Sequence, residues 1–409
     1  MSQVRLRVEG RLPAAEVLTA KPPFRLPTMK EIRAVPWNGF NVVSLFSGAG
    51  GSCLGFRMAG FRTVWANEFI PAAAETYRAN FPPPLPVLCT QDLRAVTPEQ
   101  VLQEVRDAAG KEAEVDVLEG SPPCASFSTV GKTSKHWGQV RQYSETKQRV
   151  DDLFGEYVRI VRGVRPRAFV AENVSGLARG VSVGMMKEIL LALQACGYRV
   201  GARLLDAQWL GVPQVRVRVI LVGVRDDLER EPAFPKPLPY RYSIRDALPH
   251  VTRVVHDTSG SRGAGDVTDR PCPTVTVCVD SLASYHFRVE CWGDASFEKN
   301  AIAKEWERLK PGQQSDRYFS LVRPDPDLPC PTVTQTAGIR SAAGVTHPNE
   351  PRKFYPWELR RICGFPEDFV LTGDFRQQWE RLGRAVPPPM MYHVARVLRD
   401  EILEPSCAA

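Results

Sequence analysis

Between Asn41 and Val224 short apolar runs alternate with stretches of helical spacing. The runs Val42 to Phe46, Thr63 to Glu68, Val115 to Glu119, Phe169 to Asn173 and Val217 to Val224 predict strands. Helices are predicted near Pro71 to Asn80, Leu153 to Val161 and Val183 to Cys196, with a further one beginning near Ser52. Alternation of this kind predicts an α/β fold, a mostly parallel sheet with helices on both faces. Glu231-Pro-Ala-Phe-Pro-Lys-Pro-Leu-Pro239 breaks the pattern and reads as a linker. From about His250 to Asp327 the chain is irregular, rich in Gly, Ser and Asp, with short β-like runs such as Thr274 to Val279. Helical spacing returns over Trp357 to Phe365 and Pro389 to Leu403. The segments Pro271 to Thr276 and Pro329 to Thr334 are near copies, too brief to establish a repeat architecture. Residues 1–38 contain prolines without clear periodicity and read as an extension, to which no function is assigned.

Several strands end in polar groups, and there the chemistry is to be sought. Val117-Leu-Glu-Gly-Ser-Pro-Pro-Cys-Ala-Ser-Phe-Ser128 leads a strand into a proline-stiffened turn followed by Cys124. A proline pair fixes the backbone before the thiol, which suits a nucleophile held at a set distance from its target. Taken alone, Cys124 is equally readable as a small buried apolar residue. Asn41-Val-Val-Ser-Leu-Phe-Ser-Gly-Ala-Gly-Gly51 runs into a glycine turn, and about twenty residues later a second strand ends in Glu68, the spacing of ribose-binding carboxylates in nucleotide-binding βαβ units. This pair resembles the adenosine-binding half of S-adenosylmethionine-dependent methyltransferases.

Charge and cysteine usage narrow the classes. The 409 residues carry 53 Lys and Arg against 46 Asp and Glu, a formal net charge of +7, and arginine greatly outnumbers lysine, which favours an anionic partner. The ten cysteines show no C-x-x-C spacing, so no structural metal is expected and a disulfide framework is not. No apolar run is long enough to span a bilayer, and the first thirty residues lack a signal peptide's apolar core, so no membrane partner and a cytoplasmic location are expected.

Pro122-Pro-Cys124, Glu172-Asn-Val174 and Gln214-Val-Arg-Val-Arg218 follow Phe46-Ser-Gly-Ala-Gly-Gly51 in that order. With these motifs the chain resembles the DNA (cytosine-5) methyltransferase family, from about Asn41 to Arg225 and again from about Pro329 to Leu398. The resemblance implies a Rossmann-like S-adenosylmethionine-dependent methyltransferase fold with a smaller, irregular, β-rich target-recognition domain. The divisions implied are an extension (1–38), a catalytic and cofactor-binding domain (39–235), the target-recognition domain (250–327) and a C-terminal segment returning to the first domain (328–409). It further implies S-adenosylmethionine as cofactor, double-stranded DNA as partner, action as a monomer, and a bacterial or phage-like, nucleoid-associated enzyme.

In the family's chemistry, Cys124 adds to carbon 6 of cytosine and carbon 5 then accepts the methyl group. Glu172 meets ring nitrogen 3 and the exocyclic amine. Arg218, and with it Arg216, contact the carbonyl oxygen and substrate phosphates, while Asn173 braces the turn. The base must be flipped out of the duplex, and Ala125 to Gln139, with Lys132, Lys135 and His136, is a loop that could close over it. For the cofactor the resemblance implies Phe46 on adenine, Gly48, Gly50 and Gly51 for close approach, Glu68 on the ribose and Asp92 on the adenine amine. Pro123, Leu153, Arg384 and Val386 complete that set.

The sequence departs from the family in three places. Ala125 replaces a polar residue, often Gln, and Trp357 an Arg. The last motif, usually Gly-Asn-Ala-Val-Pro-Pro, reads Gly383-Arg-Ala-Val-Pro-Pro388. Two explanations of Arg384 stay open. It turns outward to a carboxylate or DNA phosphate and methylation is ordinary, or the cofactor is carboxy-S-adenosylmethionine, whose carboxylate Arg384 pairs, and a carboxymethyl group is transferred. An RNA cytosine methyltransferase and a catalytically silent DNA-binding protein are the remaining alternatives. The intact Cys, Glu and Arg set argues against the second.

Overall fold

The computed structural model describes residues 21–123, 140–143, 146–149, 153–179, 183–251, 301–318, 320–335 and 344–404. In chain order the first strands are β1 (Asn41–Leu45), β2 (Arg62–Asn67), β3 (Val87–Cys89) and β4 (Val117–Gly120). They are followed by β5 (Val140–Tyr143), β6 (Thr146–Arg149), β7 (Ala168–Val174), β8 (Tyr198–Asp206) and β9 (Val217–Arg225). Of these nine strands β5 and β6 pair only with each other, whereas the other seven form one sheet of order β3-β2-β1-β4-β7-β9-β8. From β3 to β7 all pairs are parallel, and β9 runs antiparallel to both neighbours. Strands β8 and β9 follow one another closely in the chain, and a short connection permits antiparallel pairing.

The parallel strands are separated by helices α2 (Gly51–Met58), α3 (Pro71–Asn80), α4 (Pro98–Ala109), α5 (Leu153–Val164) and α6 (Val183–Gln194); α1 (Met29–Ala34) precedes them. Successive strand residues face opposite sides, so Val43, Leu118 and Phe169 pack with α4, α5 and α6 while Val42, Val117 and Val170 face the other layer. That second layer comes from the far end of the chain. After α7 (Ile244–Ala247), α8 (Ala301–Arg308), α9 (Pro356–Ile362) and α10 (Phe375–Arg384), helix α11 (Pro388–Val397) runs into a π-helical turn, Leu398–Leu403. Met390, Met391, Val394, Leu398 and Ile402 then cover the sheet beside Phe56 of α2. Gly55 makes this possible, because a Cβ there would lie 2.6 Å from the Pro388 carbonyl oxygen.

A third cluster joins α1, α7, α9 and α10 around Phe354, Phe365, Phe369 and Trp379. The part of the extension from residue 21 packs here: Met29 and Ile32 are buried, and the Met29 amide donates to Asp368 Oδ1 at 2.8 Å. Among the described residues no helix is long and apolar enough to cross a membrane.

The predicted strands and helices coincide with observed elements to within a few residues, with three differences. Strand β1 stops at Leu45 because Phe46 adopts φ 55°, outside extended space. Helix α6 ends at Gln194, before Cys196, and Gly197 at φ 85° turns the chain. Strands β3, β5, β6 and β8 and helices α1, α4, α7, α8 and α10 were not anticipated, although Thr97 and Asp374 cap α4 and α10 through their side chains. Of the two near-copied segments, Pro271 to Thr276 lies outside the described residues. The other borders 213–215 through a bridge from Gln214 to Cys330.

Candidate active site

In the sheet β1 lies between β2 and β4, so the chain leaves its carboxyl end toward both sides and opens a crevice there. Turn Ser47 to Gly51 lines that crevice. Gly48 sits at φ 57°, and its amide donates to Glu68 Oε2 at 2.7 Å. The Ile70 amide donates to Glu68 Oε1 at 2.7 Å. Burial pushes the Glu68 carboxyl up, opposed by these two amides and by the nearby charges of Arg384 and Arg381. A Cβ built on Gly48 would meet nothing within 4 Å, whereas one on Gly51 would strike the Val386 carbonyl oxygen at 2.2 Å. Gly48 therefore faces open space, and Gly51 is required by packing. Val386 is buried against that turn, Phe46 is half-buried beside the core, and Leu153 is fully buried at the start of α5. Asp92 caps the turn Leu93–Ala95 and pairs with Arg94 at 2.9 Å.

At the ends of β7 and β9 the antiparallel register sets Val174 opposite Arg218, so Glu172 is the diagonal neighbour of Arg218 on the same face. Their side chains meet, Arg218 Nε to Glu172 Oε1 at 2.9 Å, and both are largely buried. Arg216 precedes β9 and is 2 % exposed; its guanidinium donates to the Gly383 carbonyl at 3.1 Å. Burial, and then Arg218, push that guanidinium down to about 9. In this position Arg216 ties β9 to the last motif. Asn173 donates from Nδ2 to the Pro122 carbonyl at 2.9 Å, bracing the proline turn as expected. Pro123 is half-buried at the end of this turn. Cys124 and the loop Ala125 to Gln139, with Lys132, Lys135 and His136, lie outside the described residues.

Arg384, at the end of α10, pairs through Nη2 with Glu380 Oε1 at 2.7 Å, one helical turn back. An anion for this cation is thus supplied within the chain. Away from the crevice, His250, His347 and Glu358 each bring a potential ligand atom within 4.8 Å of the others. Both Glu358 oxygens are, however, held by Arg352, at 2.7 and 2.9 Å, so the cluster is a buried ion pair before it is a metal centre. The His250 ring lies 5.0 Å from that of Trp357, which occupies the family's Arg position.

One residue was missed. Glu119, the third residue of β4, is 2 % exposed and accepts hydrogen bonds from Ser44 Oγ, from Ser52 Oγ at 2.7 Å and from Cys53 Sγ at 3.6 Å. Burial pushes its carboxyl up to about 7. The signal was a carboxylate inside an apolar strand one step from the site.

The model of the C-5 cytosine-specific DNA methylase family matches residues 40–400. The chain belongs to that family. The enzyme is 31% identical over 359 residues, 87% of this chain and 86% of the relative, to type II methyltransferase M1.HphI of Haemophilus parahaemolyticus. It is 28% identical over 376 residues, 91% and 99% of the two chains, to type II methyltransferase M.NgoPII of Neisseria gonorrhoeae. Its fold is similar to that of a putative DNA modification methyltransferase encoded within an E. coli prophage, with a TM-score of 0.64 at 21% identity over 90% of this chain and 100% of that one. The reaction is therefore methylation of cytosine at carbon 5 in DNA, with S-adenosylmethionine as the methyl donor.

Proposed function

We propose that Cys124 is the nucleophile of this methyltransferase and that Glu172 and Arg218 hold the flipped cytosine against it. The observation that carries the reading is the Glu172–Arg218 pair, set at 2.9 Å by strand register, beside a proline turn that Asn173 ties to the same strand end. The Cys124 thiolate forms a bond to carbon 6, and the ring electrons move toward carbon 5 and nitrogen 3. Glu172 shares a proton with nitrogen 3, and Arg218 donates to the carbonyl oxygen, where negative charge grows. Carbon 5 takes the methyl group, then loses its proton to a base. The returning electrons break the carbon–sulfur bond and restore the thiolate.

The turn fits S-adenosylmethionine. Gly48 faces open space, and the Glu68 oxygens, each holding one amide, keep lone pairs for ribose hydroxyls. Bound there, the cofactor supplies the methyl group. Phe46 and Asp92 would meet its adenine, with Pro123, Leu153 and Val386 as the apolar wall. Arg384, paired with Glu380, supports plain methyl transfer without a carboxylated cofactor. Interval 250–327 would read the target sequence in double-stranded DNA, with the enzyme acting as a monomer beside the nucleoid and holding no structural metal. The test is a duplex carrying 5-fluorocytosine at the target. The parent becomes covalently trapped and Cys124→Ser does not; turnover by Cys124→Ser at the parental rate removes the reading.

A further inference from the structure

We propose that Glu119 is a positioning residue of the transfer reaction, tying the strand that runs into the Pro122-Pro123 turn to the glycine turn that receives the cofactor. The inference rests on the preceding reading of those two turns as one site. Glu119 takes its hydrogen bonds from both sides of the cofactor turn. Ser44 lies on β1 just before it, and Ser52 and Cys53 lie in the first turn of α2 just after it. Ser44 Oγ is also 2.7 Å from Ser47 Oγ, so the network reaches into the turn itself.

The ionisable groups facing Glu119 come from each packed element. Cys53 belongs to α2, Tyr77 to α3 with its hydroxyl 3.4 Å from Cys53 Sγ, Tyr157 to α5 and Glu172 to β7. These are thiol, phenol and carboxyl groups, quite unlike the guanidinium that neutralises Glu358. Burial, the dominant influence, therefore leaves the proton of Glu119 exchanging near neutral pH, with the charge of Glu172 adding to the effect. Ionised, the carboxylate draws both serine hydroxyls and the thiol as donors, and the N-terminus of α2 favours the charge. Protonated, it must itself donate one bond, and one of the three contacts reverses. The glycine turn is thus held in two hydrogen-bond settings that differ by one proton, and this is the turn that must hold the methyl donor in line.

The experiment compares the full-length parent, Glu119→Gln and Glu119→Ala. Affinity for S-adenosylhomocysteine is measured by calorimetry, and kcat and KM by methyl transfer, across the pH range around 7. In the parent, affinity changes through that range. Glu119→Gln, which keeps the shape and cannot ionise, loses this component. Glu119→Ala weakens binding by about tenfold or more, the scale of a lost hydrogen bond to a charged group. A glutamine variant with the parental pH dependence overturns the proposal, whether or not the alanine variant folds. Trapping by 5-fluorocytosine keeps the two ideas apart. A parent that does not trap defeats the reading of the site, whereas normal trapping with an unaltered glutamine variant defeats only the role of Glu119.

Discussion

Glu119, on the central sheet, and Glu358, on α9, are buried to 2 % and 0 % exposure, yet the two regions treat a carboxylate in opposite ways. Burial alone would raise both. At Glu358 the two-pronged contact with Arg352 overrides it, and with His250 and His347 holds the carboxyl down at about 2. At Glu119 the partners are two hydroxyls and a thiol, and burial wins. A guanidinium fixes a charge and locks a segment, whereas hydroxyls accept either protonation state. The difference marks the C-terminal cluster as a structural fastening and the sheet centre as adjustable.

The sharpest way to break this contrast is to neutralise each glutamate. Glu358→Gln leaves the buried Arg352 with Glu350, itself half exposed, as its one carboxylate partner and is expected to cost about 3 kcal/mol in urea unfolding. A loss below 1 kcal/mol would mean that the pair is no fastening. At the crevice the corresponding cost is kinetic. Arg218→Met should lower kcat by about 10²–10³ with the fold intact by circular dichroism, since it removes a donor aimed at growing charge. A rate within threefold of the parent would take Arg218 out of the chemistry.

Acid and base then separate the regions by sign. The folded pKa of Glu119 lies above its ordinary 4.5, so its contribution to stability is full below pH 4.5 and is lost as pH rises to about 7, by about 3 kcal/mol. Glu358 is depressed, so its contribution is full above 4.5 and is lost as pH falls toward 2. His347, pushed down to about 4 by burial against the pull of Glu358, adds a loss as pH falls from 6.5 to 4. Relative to the parent, Glu119→Gln should therefore gain stability steadily between pH 4.5 and 7 in denaturant melts. A constant difference across that window would show that Glu119 does not hold its proton there.

Much of the sheet was legible because buried parallel strands are written as apolar runs with polar ends, and the proposed site is drawn from those ends: Glu68, Glu172 and the proline turn all stand where β2, β7 and β4 stop. Strand β8 was harder, since Arg199, Gly201 and Arg203 interrupt its apolar pattern at the sheet edge. Helix α10 was missed for a similar reason, its Arg, Gln and Glu residues masking Phe375, Trp379 and Leu382 on the buried face. Arg216 was read together with Arg218 as a substrate-contacting cation, with no sign of its depth, because alternation in a strand gives direction but not burial. Only the return of Gly383 and Val333 from the far end of the chain buries it. Glu119 could not be weighed from sequence, because Ser44 and Ser52 reach it only after β1 and β4 pair.

The smallest expected effect concerns Arg384. Its bond to Glu380 is a single i,i+4 pair with one partner a third exposed, a geometry that contributes about 0.3–0.5 kcal/mol. Arg384→Asn restores the family's usual residue and should move the unfolding midpoint barely at all. It should also leave methyl transfer within about threefold, because less than 1 kcal/mol separates such rates. Glu68 would feel the change more than the fold does, since Arg384 heads the charges that draw its carboxyl down. Removing that cation raises the Glu68 carboxyl further, so any loss of cofactor affinity should grow as pH falls. A variant that instead gains methyl transfer tenfold or more, while the parent uses the carboxylated cofactor, would show Arg384 to be a recognition element for an anion. It would also move this residue from the fastened half of the molecule to the adjustable one.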